Sequence, residues 1–446
     1  MKPANYLARL ALVVFFGFSA FAAPPNLIII LTDDQGYHDV GFNGSKDIPT
    51  PNLDSIASNG VRFTSGYAAA SQSSTSRAGL LVGRYPERFG VERELIWQPS
   101  GSVSGLPATE ITLADALGKV GYHSGLIGKW HLGNAPAQHP LKRGFDEFYG
   151  FLGAGHYNFP EALTIEETAK AKTDDDSYRL LITRNYDPVK TSNYLTDEFS
   201  DEAVRFIQRN REKPFFLCLA YNAPRSPLEA TNKYLARFPK IQAPRRRTYA
   251  AMMSAVDDGV GRVLAQLRAN GLAEQTLVVY LSANGGALEL NSSDNYPLRG
   301  ARYSPWEGGW RVPFAMQWPG HLPSGMTYDQ PVSSLDIFAT IAALADAPTN
   351  PERPLDGVNL LPYLTGQKTG APHDAIFLRV LDRDAYAVRS GDFKLVVIGT
   401  NQPAQLFNLA QDISETKNLA DTAPEVLQAL EKKRAAWTQE MLPPKK

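Results

Sequence analysis

The chain has 446 residues, 45 Lys and Arg against 46 Asp and Glu, and one cysteine. That length allows one large α/β domain with a substantial core and a smaller companion. A net charge of −1 excludes a bulk electrostatic partner such as nucleic acid, and the lone Cys218 excludes a disulfide framework.

The opening MKPANYLARLALVVFFGFSAFAAPPN places Lys2 and Arg9 before an apolar run from Leu10, with small residues at Ala20 and Ala22. This is the pattern of a secretory signal peptide over residues 1–23, cleaved after Ala22 or Ala23, with an apolar run too short to span a bilayer. The expected location is periplasmic or secreted, with no membrane attachment after cleavage. NLIIILTDDQG is an apolar run ending on Asp33 and Asp34, the look of a buried parallel strand with carboxylates at its carboxyl end. SQSSTSRAGLLVGRYP (71–86) is a serine cluster running into Arg77 and an apolar helical segment. Serines cap helices, and helix N-termini collect anions through their free N–H groups. Ser73 therefore reads either as a cap or as a nucleophile.

ITLADALGKVGYHSGLIGKWHLG gives a helix, a strand and a basic loop with Lys129 and His131. The polar stretch 161–185 reads as an insertion near the site. DEFSDEAVRFIQRN is an amphipathic helix leading into PFFLCLAYNAPRSP, a strand with Cys218 buried in it and Arg225 in the loop beyond. A long helix follows, ended by Gly271, with Asp257 and Asp258 expected to be solvated or ion-paired. TLVVYLSANGG is a strand leading to Ala283 and Asn284, with Glu289 just beyond. LDIFATIAALADA is a helix, and the proline-rich 345–357 reads as a linker. Short strands and a final helix from about Ala423 complete the chain. The expected architecture is an α/β domain over residues 24–350, with a mostly parallel mixed sheet flanked by helices. A small C-terminal antiparallel-sheet domain covers 351–446. Loops at the carboxyl ends of the parallel strands share one rim, where ligands bind.

Taken together, LTDDQGYHDVG, SRAGLLVGRYP, GKWHLG, SANGG, PLRGARYSPWEGGWRVP, SSLDIFATI and LDGVNLLPYL resemble the formylglycine-dependent sulfatases of the alkaline phosphatase superfamily. The likeness covers almost the whole chain beyond residue 23. It implies a nucleophile at Ser73, a calcium ion on Asp33, Asp34 and Asn284, and a sulfate held by Arg77, Lys129 and neighbouring cations. Four departures stand against that pattern. Thr75 replaces the proline that the maturation machinery reads, which argues against formylglycine at Ser73. Ala283 replaces a third aspartate, leaving no calcium or a weak site, since affinity follows ligand charge. Arg225 replaces a histidine, and a guanidinium cannot act as a general acid near neutral pH. Arg302 replaces a lysine.

The leading expectation is thus an exported hydrolase on a sulfated oligo- or polysaccharide whose arginine-rich pocket reads sulfate. Formylglycine-type cleavage is lost in that expectation, and glycosidic hydrolysis takes its place. Asp33, Asp34 and Glu289 are the candidate carboxyl pair, with Ser73 and His131 also carried as catalytic candidates. Two alternatives stay open: a working sulfatase using Ser73 by an unusual route, and a non-catalytic binder of sulfated glycans. Tyr37, Trp130, Tyr303, Trp306 and Trp310 read as sugar platforms or as core, and Glu307 as the support of its glycine turn.

Overall fold

The computed structural model describes residues 24–98, 105–160, 170, 172–399 and 402–443. Residues 1–23, expected above to be a signal peptide, and most of the first part of the 161–185 insertion lie outside the described residues. Along the chain the strands are β1 (Asn26–Thr32), β2 (Val61–Phe63), β3 (Gly66–Tyr67), β4 (His123–Lys129), β5 (Glu147–Phe151), β6 (Ile182–Arg184), β7 (Asp187–Val189) and β8 (Phe215–Ala220). Then come β9 (Thr276–Ser282), β10 (Phe314–Gln317), β11 (Met326–Tyr328), β12 (Val332–Ser333), β13 (Ile376–Val380), β14 (Ala385–Ser390), β15 (Phe393–Ile398) and β16 (Gln405–Asn408).

The apolar run of β1 is buried along its whole length, and its side chains serve both faces of a sheet. Leu27, Ile29 and Leu31 enter one core, Ile28 and Ile30 the other. Fully burying each of these side chains stabilises the fold by roughly 1.5–3 kcal/mol. A strand buried on both faces needs a partner on each edge, and β1 pairs in parallel with β8 and β9. The full order is β11-β2-β10-β9-β1-β8-β4-β5-β6-β7, with a parallel centre from β9 to β5, antiparallel pairings on either side of it, and a parallel edge pair β11·β2. The helices Leu195–Asn210 and Pro244–Ala269 cover one face, and Ser73–Val82, Leu113–Gly118 and Asp336–Ala345 cover the other. Cys218 is buried in β8, and burial pushes its thiol up to about 12, so it is packing rather than chemistry.

The C-terminal part is the four-stranded antiparallel sheet β13-β14-β15-β16, with the helix Pro424–Glu440 packed on it through Leu430 and Trp437. The 345–357 stretch is tied to the larger body. Asp356 accepts from the Tyr85 amide at 2.8 Å and from Arg88 at 2.8 Å. Glu307 does more than support a turn. It is fully buried, bonds Tyr67 and Arg311 on the large domain, and lies 2.9 Å from Lys394 of β15. Asp257 is also not solvated or ion-paired. It is 3 % exposed and accepts from the Asn52 and Leu53 amides, satisfying the N-terminus of the helix Pro51–Ser58. Only Asp258 is ion-paired, to Arg237 at 2.8 Å. Among the described residues no helix is long and apolar enough to cross a membrane.

Candidate functional site

Parallel strands end on the same rim, so residues far apart in sequence meet there. The end of β1 delivers Asp33 and Asp34, that of β4 Lys129 and His131, that of β8 Arg225, and that of β9 Ala283 and Asn284. The helix Ser73–Val82 starts at the same place. Arg302 arrives on a turn pinned by its own amide to Gly286 O (3.1 Å) and by the Tyr303 amide to Ser71 O (3.0 Å). Asp34, His131 and Tyr303 have φ of 58°, 59° and 63°, left-handed values that side-chain-bearing residues seldom adopt. Such backbone persists only where the surroundings hold it, and it clusters at functional sites.

Every carboxylate oxygen of Asp33 and Asp34 has a protein donor. Asp33 Oδ1 accepts from Ser73 Oγ at 2.8 Å and Oδ2 from Lys129 Nζ at 2.7 Å. Asp34 Oδ1 accepts from Asn284 Nδ2 at 2.8 Å, and Oδ2 from Arg302 Nη1 at 2.7 Å and Arg225 Nη1 at 3.0 Å. Ser73 Oγ in turn accepts from Lys129 Nζ at 3.1 Å and Arg77 Nε at 3.2 Å. Burial pushes the Asp33 carboxyl up, but Lys129, Arg77 and Arg225 outweigh it and hold the group well below the usual carboxylate range. Lys129 is brought down to about 7, first by burial and then by Arg225 and Arg77, against the pull of Asp33. It is the one cation of this cluster that can release a proton near neutrality, because guanidinium groups cannot.

Burial, followed by the charges of Lys129, Arg225 and Arg77, holds His131 well below its ordinary value, so the ring is neutral. Its Nε2 faces the Leu95 carbonyl at 3.0 Å. A carbonyl only accepts, so Nε2 carries the hydrogen and Nδ1 is a bare acceptor, 3.6 Å from Glu94 Oε1. His131 in this state offers Nδ1 as a hydrogen-bond acceptor and holds no proton there to deliver.

Sequence reasoning missed Glu94 and Tyr178. Glu94 Oε2 accepts from the Ser73 amide at 3.2 Å, and its Oε1 lies 3.9 Å from Arg302 Nη2. It thus occupies the helix N-terminus expected to collect an external anion. The only sequence signal was a glutamate just before the apolar Leu95–Ile96–Trp97 of VERELIW. Tyr178, from the polar insertion, accepts from Arg225 Nη2 at 3.3 Å, as the placement of that insertion near the site anticipated. Ser73 is not a cap: Gln72 holds the N-cap position, without a side-chain bond, and Ser73 is the first helical residue. Arg225 and Arg302 are in the pocket, with side chains 12 % and 6 % exposed. Glu289 lies apart, exposed on the turn Leu288–Leu290, with no side-chain contact to the Asp33–Arg302 cluster among the described bonds. Trp130, Trp310 and Tyr37 are core, which leaves Tyr303 and Trp306 as the partly exposed aromatics of that set.

The family model described as Sulfatase matches residues 25–347 of this chain. The chain belongs to the sulfatase family. A second family model, N-sulphoglucosamine sulphohydrolase, C-terminal, matches residues 302–440. Human N-acetylgalactosamine-6-sulfatase is 36 % identical over 366 residues, covering 78 % of this chain and 67 % of the relative. Human steryl-sulfatase is 31 % identical over 440 residues, covering 82 % and 74 %. The crystal structure of Ps i-CgsB in complex with k-i-k-neocarrahexaose superposes with a TM-score of 0.89 at 39 % identity, covering 94 % of each chain.

The calcium that this sulfatase resemblance implies does not fit the residues present. Calcium takes about six to eight oxygen ligands. Here the oxygens of Asp33 and Asp34 are engaged by an ammonium, two guanidinium groups, an amide and a hydroxyl. Ala283 is buried and offers no side-chain oxygen. Asn284 turns its amide N–H toward Asp34 and Gly285, leaving only Oδ1 as a free oxygen. Among the described residues no group of three or more His, Cys, Asp or Glu is arranged to hold a metal.

Proposed function

We propose that this chain hydrolyses sulfate esters on a sulfated galactan-type polysaccharide, with Ser73 as the group that first receives the sulfuryl moiety. The observation that carries the reading is the 39 % identity, over 94 % of both chains, to a protein solved with a neocarrahexaose. The similarity to N-acetylgalactosamine-6-sulfatase points to the same class of sulfated sugar. Four cations (Arg77, Lys129, Arg225, Arg302) face three carboxylates (Asp33, Asp34, Glu94), an excess of one positive charge that suits a sulfate monoester. The export-type sequence of residues 1–23 supports encounter with that polymer outside the cytoplasm.

In this reading Ser73 Oγ attacks sulfur and the bond from sulfur to the sugar oxygen breaks. The Ser73 proton, which the hydroxyl directs to Asp33 Oδ1 at 2.8 Å, passes to that carboxylate. The Lys129 ammonium, bonded to the same aspartate at 2.7 Å, releases a proton to the departing oxygen and is then reprotonated by Asp33, leaving a sulfated serine and a free sugar hydroxyl. Water then attacks sulfur, releasing hydrogen sulfate and restoring the Ser73 hydroxyl. Arg77, held 3.2 Å from Ser73 Oγ and 3.5 Å from Asp33 Oδ1, is placed to offset the charge on the sulfuryl oxygens. Glycosidic hydrolysis, the leading expectation from sequence, gains no support from the geometry. A glycosidase needs a protonated carboxyl on one side of the scissile bond. Asp33 is held ionised, Asp34 is clamped by two arginines, and Glu289 stands outside the cluster.

The test is to incubate the full chain with neocarrageenan oligosaccharides, following inorganic sulfate and reducing ends in the same tubes. Sulfate release without new reducing ends is the expected result. New reducing ends without sulfate would restore the glycosidase reading, and silence in both channels would leave a sulfated-glycan binder. Mass spectrometry of the Ser73 peptide separates direct serine chemistry from oxidation to formylglycine, which removes two hydrogens.

A further inference from the structure

The next inference rests on the reading of this pocket as a sulfate site and concerns the positive charge that the sulfate meets. Asp34 Oδ2 takes Arg302 Nη1 at 2.7 Å and Arg225 Nη1 at 3.0 Å, so two fixed charges share one carboxylate. A divalent ion on that oxygen has to displace both guanidinium groups and leave them buried beside it, which like-charge repulsion opposes. The second observation is one unpartnered nitrogen on each of three arginines, whose other two nitrogens are hydrogen-bonded. Arg77 Nη2 and Arg302 Nε are buried N–H groups without a hydrogen-bond partner in the protein, on side chains 3 % and 6 % exposed. Arg225 Nε is a third such donor, 3.9 Å from Asp33 Oδ2. Buried donors are satisfied in native proteins, and charged N–H donors suit the oxygens of a sulfate.

We propose that Arg302 and Arg225 together stand in for a divalent cation, so that this pocket binds a sulfate monoester without any metal. The fixed cation is covalently part of the chain, so the site is complete at any calcium concentration and needs no loading step.

The experiment uses the full chain and inorganic sulfate as the probe, read by thermal shift and by calorimetric titration. The expected result is sulfate stabilisation of equal size in EDTA and in excess calcium, and no saturable heat when calcium alone is titrated. Arg302→Met should weaken sulfate binding at least tenfold, about 1.4 kcal/mol of binding free energy. Arg302→Lys, which keeps a charge and guards against loss of the fold, should retain part of it. Saturable calcium binding, or sulfate stabilisation abolished by EDTA, would overturn the inference. Because these readouts are binding and not turnover, they separate the two ideas. Metal-free sulfate binding with no ester cleavage sinks the proposed activity alone, whereas ester cleavage that requires calcium sinks this inference alone.

Discussion

Replacing Lys394 by methionine tests the joint that holds the Arg302 loop. The Lys394 ammonium is fully buried between Glu307 Oε1 at 2.9 Å and Glu415 Oε1 at 2.8 Å. Burial pushes the Glu307 carboxyl up, while Lys394, Arg311 and Arg389 bring it down to about 2. Methionine matches the shape of the lysine stem but leaves two buried carboxylates without their shared cation. Glu307 keeps Arg311 at 3.0 Å, whereas Glu415 is left with the Glu307 amide at 2.8 Å. Removing one partner of a buried ion pair costs about 3–5 kcal/mol. The retained Arg311 contact places the expected loss near the lower end, about 3 kcal/mol. Urea unfolding followed by tryptophan fluorescence reports it as a lower midpoint at unchanged slope, since the folded surface is not altered. Lys394→Met with Glu415→Gln removes the orphaned charge as well and should recover at least about 1 kcal/mol, the coupling expected of groups in direct contact. The same loop carries Arg302, and the Arg299 guanidinium bonds the Glu415 carbonyl at 2.9 Å, so sulfate affinity should fall with stability. A single-mutant loss below about 1 kcal/mol would refute the assignment of Lys394 as the keystone of this joint.

Ser73→Ala should reduce sulfate release to background while sulfate still stabilises the protein in a thermal-shift assay; retained turnover would remove Ser73 from the chemistry. Glu289→Ala should change neither melting temperature nor rate by more than about 0.5 kcal/mol equivalent, as befits an exposed side chain, and a large loss of turnover would bring this residue back into the site. Glu87 offers a pH test, because burial and then Glu92 push its carboxyl from the ordinary 4.5 to about 8. The folded form therefore holds this proton more tightly than the unfolded form. Its contribution is complete below about pH 4.5, declines as the pH rises, and is lost by about pH 8. Glu87→Gln should match the parent near about pH 5 and exceed it by several kcal/mol near about pH 9. Equal differences in melting temperature at both pH values would show that Glu87 does not titrate in this way.

Local pattern was enough for the scaffold because burial on both faces of a strand leaves a continuous apolar run. NLIIILT, FFLCLA and TLVVYLS became β1, β8 and β9, and the Pro244–Ala269 helix ends, as expected, just before Gly271. The rim was legible too. Asp33, Lys129, Arg225 and Asn284 follow strands that run parallel, and parallel strands bring their carboxyl ends to one side.

What the sequence by itself determined, then, was which elements form, which family they compose, and which loops share the site. Only the tertiary structure decided who bonds whom there. Arg302 and Arg225 meet on one oxygen of Asp34, 268 and 191 residues away in the chain. Glu94 fills the helix N-terminus that looked open to an external anion, and Asp257 turns inward to cap a distant helix. Glu307 reaches the second sheet through Lys394. Periodicity reports which face of a segment is buried. The partner that a buried charge finds is set by strand order and register, and these are properties of the assembled sheet rather than of any stretch within it.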